Sequence, residues 1–318
     1  MDTGSIDVDE ACYSPGEYPS SDNSSTSSLD SLIIRHVFEN GRRYHGFRKG
    51  RYLLPNDKIE QDRLDMQHHV YKTLFSALYT APLSTINPKR ILDLGTGTGR
   101  WAIDMAYEFP GAQVTGIDLS PIQPSWIPSN CTFEVDDVEA TWTIAPRTID
   151  YIHIRGLLGS INDWPALLAQ AFSSMKPGGM VEITDIETYF EVEGDVAKEF
   201  GELMKEGMDN LGRTRIIPSE LPAMLTNAGF TNLQERRGRI PIGIWPIMPN
   251  LKELGRLWRE CLLAGLDAWG LATFSRGLDW SKAEYDVLAS NLRREILERG
   301  SHRVSRAVSF VARKPVGL

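Results

Sequence analysis

Cysteine is scarce in this chain of 318 residues: Cys12, Cys131 and Cys261 are odd in number, far apart and without the paired spacing of a metal site. That excludes a disulfide framework or a zinc cluster as the organising device and makes a reducing, intracellular setting the expectation. Long apolar runs are missing too, since no stretch reaches the ~18 consecutive apolar residues of a membrane span. Nothing at the N-terminus combines a basic start with an apolar core, so no signal peptide is read. The expected location is cytoplasmic, with a nuclear location left open. Cations are neither in excess nor clustered. The net charge is −8, and Arg42 with Arg43, Arg236 with Arg237, and Arg293 with Arg294 are isolated pairs. A nucleic-acid partner is therefore not expected, because phosphate binding needs clustered cations.

Lys and Arg are wholly absent from residues 1–34, where the acids Asp2, Asp7, Asp9, Glu10, Glu17, Asp22 and Asp30 flank the serine-rich run SSDNSSTSSLDS. Such a stretch cannot bury enough apolar surface to offset its ordering entropy, so a disordered acidic tail is expected. It accounts for nearly all of the net charge and leaves the remainder balanced.

What is present begins near residue 35. The segment RYHGFRKGRYLLPNDKIEQDRLDMQHHVYKTLFSAL alternates aromatic and basic residues, then carries Ile59, Leu64, Met66, Val70, Leu74 and Leu78 at roughly helical spacing. From residue 89 short apolar runs alternate with helical patterns. RILDLG, AQVTGIDL, CTFEVDD, IDYIHIRG and KPGGMVEITDIE read as strands, with helices over about 99–109 and 163–175. This alternation specifies an α/β fold with a doubly wound parallel sheet. A helix around 195–211, the strand TNLQERRGRI, a helical stretch over about 250–299 and a closing strand in HRVSRAVSFVARKP complete the pattern. The helical stretch is expected as a cap insertion, over the sheet's carboxyl edge or packed outside it. The expected organisation is a tail over 1–34, an N-terminal helical segment over 35–88 above the ligand site, and the sheet domain over 89–318.

RILDLGTGTGRWAID places Gly95, Gly97 and Gly99 between a strand and a helix. Ligands of such sheets bind outside the carboxyl ends of the strands, where glycine admits a close approach and a helix N-terminus favours negative charge. A dinucleotide fingerprint needs G-x-G-x-x-G, and its third position here is Arg100. A Walker A loop fails as well, because no Gly-Lys-Ser/Thr follows. Asp93, two residues before the first glycine, suits a ligand with an ammonium group. S-adenosylmethionine has one, together with a sulfonium, a ribose and an adenine. Asp118 ends VTGIDLS, where a carboxylate can accept both ribose hydroxyls. Asp137 ends FEVDDVEA, where it can accept from an adenine amino group while the Val138 N–H donates to the ring. The expected cofactor set is Asp93, Gly95, Thr96, Gly97, Gly99, Asp118, Leu119, Asp137, Val138 and Arg155, the last for the methionine carboxylate or the acceptor. No metal is expected.

YHGFRKGRYLLPNDKIEQDRLDMQHH, ILDLGTGTGRWAIDMAYEFPGAQVTGIDLSPIQPSWIP, FEVDDVEATW, DYIHIRGLLGSINDWPALLAQAF and MKPGGMVEI together resemble the fungal LaeA-like class I S-adenosylmethionine-dependent methyltransferases, over roughly residues 35–190. The resemblance implies a Rossmann-like sheet in the order 3-2-1-4-5-7-6 with its last strand antiparallel. It also implies a place in fungal secondary metabolism, either in biosynthetic clusters or as regulators that work with velvet proteins. The short acidic tail without a basic run favours the first, with a polyketide or alkaloid as acceptor. The alternative is a LaeA-like regulator with a velvet-type partner. A nicotinamide oxidoreductase is disfavoured by Arg100 and by the lack of a Tyr-x-x-x-Lys relay.

Methyl transfer asks for orientation and, where needed, a general base. Of the few histidines, His69 is the candidate base, lying on the helix expected above the cofactor and titrating near neutral pH. His45 and His68 share this region, and His153 reads as a hydrogen-bonded core residue. Tyr44 and Tyr52 are candidates for the cleft entrance. Trp101, Trp126, Trp142, Trp245, Trp258 and Trp269 are candidates for aromatic walls.

Overall fold

From Arg90 the chain alternates strand and helix, as apolar runs separated by amphipathic stretches require. The computed structural model describes residues 36–317 except 49, 51, 191–193, 214–216 and 299, and the tail expected over 1–34 lies outside them. Strands β1 (His36–Glu39) and β2 (Arg42–His45) form an antiparallel hairpin. Its turn residues Asn40 and Gly41 both have positive φ, which an Asn-Gly pair adopts readily. The aromatic and basic stretch ahead of the expected helix thus opens on a hairpin.

Helix α1 (Lys58–Phe75) begins at Asp57, whose carboxylate accepts the Glu60 N–H at 3.1 Å and pairs with Arg42 at 2.6 Å. Its stripe differs from the apolar spacing: Ile59 is 61% exposed, while Glu60 and Arg63 are buried as an ion pair.

The main sheet is built from β3 (Arg90–Leu94), β4 (Gln113–Asp118), β5 (Cys131–Val135), β6 (Ile149–Arg155), β7 (Met175–Thr188), β8 (Thr231–Pro241) and β9 (Val304–Arg313). Helices α2 (Arg100–Glu108), α3 (Trp164–Ser174), α4 (Asp195–Asn210), α5 (Leu221–Asn227), α6 (Pro249–Gly277) and α7 (Lys282–Leu297) connect and cover it. The strand order is β5-β4-β3-β6-β7-β9-β8, with β9 antiparallel to both neighbours. Numbered from β3, this is the expected 3-2-1-4-5-7-6. The chain runs outward from β3 to β5, then returns to β6 on the other side of β3. That reversal opens a crevice at the carboxyl end of β3. Leu92 and Leu94 of β3 and Ile152 and Ile154 of β6 are buried in one core, and Ile91 and Tyr151 on the opposite face in another, which fits central parallel strands covered on both faces.

The insertion between β8 and β9 is mainly a packing layer. Trp258, Cys261 and Leu262 of α6 join Val70, Tyr71 and Phe75 of α1 in a second core. Helix α7 packs behind α6, where Tyr285 donates to the Leu266 carbonyl at 2.6 Å. Only Trp269 of α6 and α7 reaches the crevice, so they do not form a roof over the carboxyl edge.

Candidate functional site

The carboxyl ends of the central strands open into one cleft, which α1 overlies. Asp93, Gly95, Thr96 and Gly97 enter it from β3 and its loop. Asp118 and Leu119 come from the end of β4, Asp137 and Val138 from beyond β5, and Arg155 from β6. Gly99 does not line the cleft. A Cβ on it would stand 2.3 Å from the Phe133 ring, and its φ is +77°. Gly95 has φ +67°, and a Cβ there would meet Leu157 at 2.7 Å. These two glycines are demanded by packing within the protein, not only by approach to a ligand. Gly99→Ala is expected to lower stability by about 2 kcal/mol or more, combining left-handed strain with overpacking. Chemical denaturation of the variant and the wild type measures it.

Side chains clamp the glycine loop. The Gly97 N–H donates to Asp118 Oδ2 at 2.8 Å, and Gln123 Nε2 donates to the Gly97 carbonyl at 2.6 Å. Thr98 Oγ1 donates to Asp65 of α1 at 2.6 Å, which ties the loop to the helix above it. Thr96 Oγ1 donates to Asp93 Oδ2 at 2.6 Å, while Asp93 Oδ1 is 2.7 Å from His153 Nδ1. The His153 ring stacks on Trp101 at 3.6 Å. Both Asp93 oxygens are thus already engaged within the protein, each keeping a second lone-pair site.

Asp118 also accepts the Ser120 N–H at 2.9 Å. Burial pushes its carboxyl up to about 6, against the pull of these N–H donors. Asp137 is 4% exposed, accepts the Glu139 N–H at 3.0 Å, and has Arg48 Nε 3.9 Å from its other oxygen. Acids therefore line the β3, β4 and β5 side of the cleft, and Arg155 stands across from them on β6.

His69 is corrected by the geometry: it is exposed on α1 and outside the cleft lining. Neighbouring helical residues point about 100° apart, and His68 is the one directed inward. Its Nδ1 lies 3.0 Å from Arg155 Nη2 and its Nε2 3.2 Å from Asp104. Tyr52 lines the cleft, whereas Tyr44 is buried away from it. Of the tryptophans only Trp101 and Trp269 reach it. Trp126 is 81% exposed, Trp245 is exposed, Trp258 is fully buried, and Trp142 packs against the main core.

Several lining residues escaped the sequence reading, among them Arg63, Gln67, Tyr71, Asp185 and Tyr189. Asp185 accepts the Leu158 N–H at 3.0 Å, and burial pushes its carboxyl up to about 6. It was findable, because it is an acid toward the carboxyl end of an apolar strand run, as Asp93 and Asp118 are. Arg63 was not, since a charged residue buried on a helix has no periodic signature. Among the described residues, no group of three or more His, Cys, Asp or Glu is placed to hold a metal ion, and no helix is long and apolar enough to cross a membrane.

A family model described as a methyltransferase domain matches residues 66–235. The chain is 39% identical to methyltransferase pytC of Aspergillus terreus, over 99% of this chain and 95% of that protein. It is 34% identical to the secondary metabolism regulator LAE1 of Cochliobolus heterostrophus, over 88% and 95%. It is 33% identical to the protein-methionine methyltransferase laeA of Emericella nidulans, over 87% and 76%.

Proposed function

This chain belongs to the fungal LaeA-like, S-adenosylmethionine-dependent methyltransferases, and we propose that its acceptor is a small-molecule intermediate of secondary metabolism. The observation that carries this reading is the aromatic part of the cleft lining. Tyr52, Tyr71, Tyr189 and Trp269 line the same cleft as Asp185, with the Tyr189 and Trp269 rings 5.1 Å apart. Recessed aromatic side chains around one polar group suit a planar, largely apolar acceptor such as a polyketide or alkaloid.

The cleft residues fit the methyl donor on their own chemistry. Asp118 can accept from the ribose diol, Asp137 with the Val138 N–H can take the adenine edge, and Asp93 can take the ammonium. Arg155 offers donors to a carboxylate. The loop is tied in place by Asp118, Gln123 and Asp65, so little ordering remains to be done on binding. Bound there, S-adenosylmethionine supplies an electrophilic methyl carbon. The chain's part is to align the acceptor with it and exclude water.

A second reading is supported by the relatives named as regulators: a regulator acting through protein partners, of the velvet type, with or without methylating them. Metabolite profiling of a deletion strain separates the two. Loss of one methyl group from one compound is expected. Silencing of many unrelated compounds would instead favour the regulator.

A further inference from the structure

Arg155 reaches the cleft from the end of β6, with the Asp93 and Glu182 carboxylates acting on its charge from a distance. Among the described residues it makes no ion pair within 4 Å. Its Nη2 lies 3.0 Å from His68 Nδ1, and its guanidinium stands 5.2 Å from the centroid of the Tyr71 ring. A guanidinium has only donors, so His68 Nδ1 must accept and carry no proton. The ring proton is then on Nε2, which faces Asp104 Oδ2 at 3.2 Å. Asp104 also meets Lys72 at 3.2 Å and Arg100 at 3.8 Å. Although burial opposes it, hydrogen bonds from His68 and Lys72 hold its carboxyl down to about 2. The order of dependence follows: ionised Asp104 selects the Nε2–H tautomer, that tautomer presents Nδ1, and Nδ1 fixes the guanidinium.

Position in the sheet says what the guanidinium faces. Asp93 of β3 is in register with His153 of β6, two residues before Arg155. Arg155 therefore stands beside the loop that follows Asp93. The ammonium and carboxylate of an amino acid share one carbon, so a ligand with its ammonium at Asp93 brings its carboxylate within a few bonds' reach.

We propose that Asp104 and His68 are positioning residues that hold Arg155 as the receptor for the carboxylate of the methyl donor's amino-acid end, and that a proton on His68 releases that hold. This rests on the donor reading of the cleft. The groups that face His68 are Arg155 from β6, Asp104 from α2 and Lys72 from its own helix, with Arg100 behind Asp104 and Tyr71 under the guanidinium. Burial, reinforced by the Arg155 charge, keeps the imidazole below its ordinary range despite Asp104. A proton on Nδ1 would set N–H against N–H and one cation against another.

The test is calorimetry on the full chain with two probes, S-adenosylhomocysteine and 5′-methylthioadenosine, which share the nucleoside thioether but differ in the amino-acid end. Wild type is expected to bind both, and its preference for S-adenosylhomocysteine is expected to shrink as pH falls through the acid side of His68 titration. Burial raises Asp118 to about 6, but it acts on the ribose of both probes and cancels in the ratio. Protonating Asp185 would move the ratio the other way. His68→Phe is expected to weaken S-adenosylhomocysteine about tenfold, the worth of one hydrogen bond to a charged group. The same variant should leave methylthioadenosine unchanged and make the ratio independent of pH. His68→Asn, whose amide oxygen can take the place of Nδ1, is expected to recover part of the affinity, and Asp104→Asn to lose less than His68→Phe. Equal losses for both probes would mean that His68 only supports the fold, and an unchanged ratio in His68→Phe would remove the brace. If wild type binds neither probe, the donor reading itself fails.

Discussion

Asp118→Ala is expected to weaken S-adenosylhomocysteine binding by about a hundredfold or more while the chain stays folded. Two hydrogen bonds from a ribose diol to a carboxylate are worth roughly 1.5–3 kcal/mol each, which sets that factor. The variant also frees the Gly97 N–H, held at 2.8 Å by Asp118 Oδ2, so the loop loses one of its ties. The effect on stability has a definite sign. The folded carboxyl is raised to about 6, so its contribution is fully present below the unfolded value and is lost as pH rises through about 6. Alanine has no such dependence. The variant should therefore improve relative to wild type as pH rises from about 4 to a little above 6 in chemical denaturation, and hold level beyond that. Calorimetry measures the binding, and an unchanged affinity would remove the ribose assignment.

Glu60→Ala is expected to be the most destabilising single change near the cleft. Glu60 and Arg63 are 1% and 3% exposed, and they meet through two hydrogen bonds of 2.9 and 2.7 Å. Arg63 also donates to Gln67 at 2.9 Å, and its guanidinium stands 5.5 Å from the centroid of the Trp269 ring. Removing the carboxylate leaves a buried cation without its counter-ion, at a cost of about 3–5 kcal/mol. That is a large part of the ~5–15 kcal/mol that holds a domain together. The double variant Glu60→Leu with Arg63→Met removes both charges and should recover most of the loss. Urea denaturation of the three proteins checks this. A single-variant cost under about 1 kcal/mol would mean the pair is solvated as surface pairs are.

The pair also illustrates what a sequence reading passes over. On α1 the apolar spacing pointed to Ile59, yet Ile59 faces solvent while a salt bridge occupies the interior. The neighbouring histidines make the same point. Their chemistry is identical in the sequence, and the helix turns His68 into the cleft and His69 out of it. Gly99 was taken for a cofactor contact because glycine-rich turns approach ligands, but its missing Cβ makes room for Phe133 of β5. Asp185 was overlooked although, like Asp93 and Asp118, it is an acid toward the carboxyl end of an apolar strand.

Local pattern alone determined the alternating strands and helices, the glycine turn, the acids at successive strand ends and, through the resemblance they carry, the strand order and the methyl donor. Those features depend on residues close in sequence, where periodicity and turn chemistry leave little choice. The tertiary structure decided which side chains of α1 face the cleft, that His68 joins Asp104 to Arg155, and that Trp269 closes the wall. These depend on how α1 and α6 pack across the sheet, with partners supplied from distant parts of the chain. The direction of a side chain is set by what that packing leaves room for.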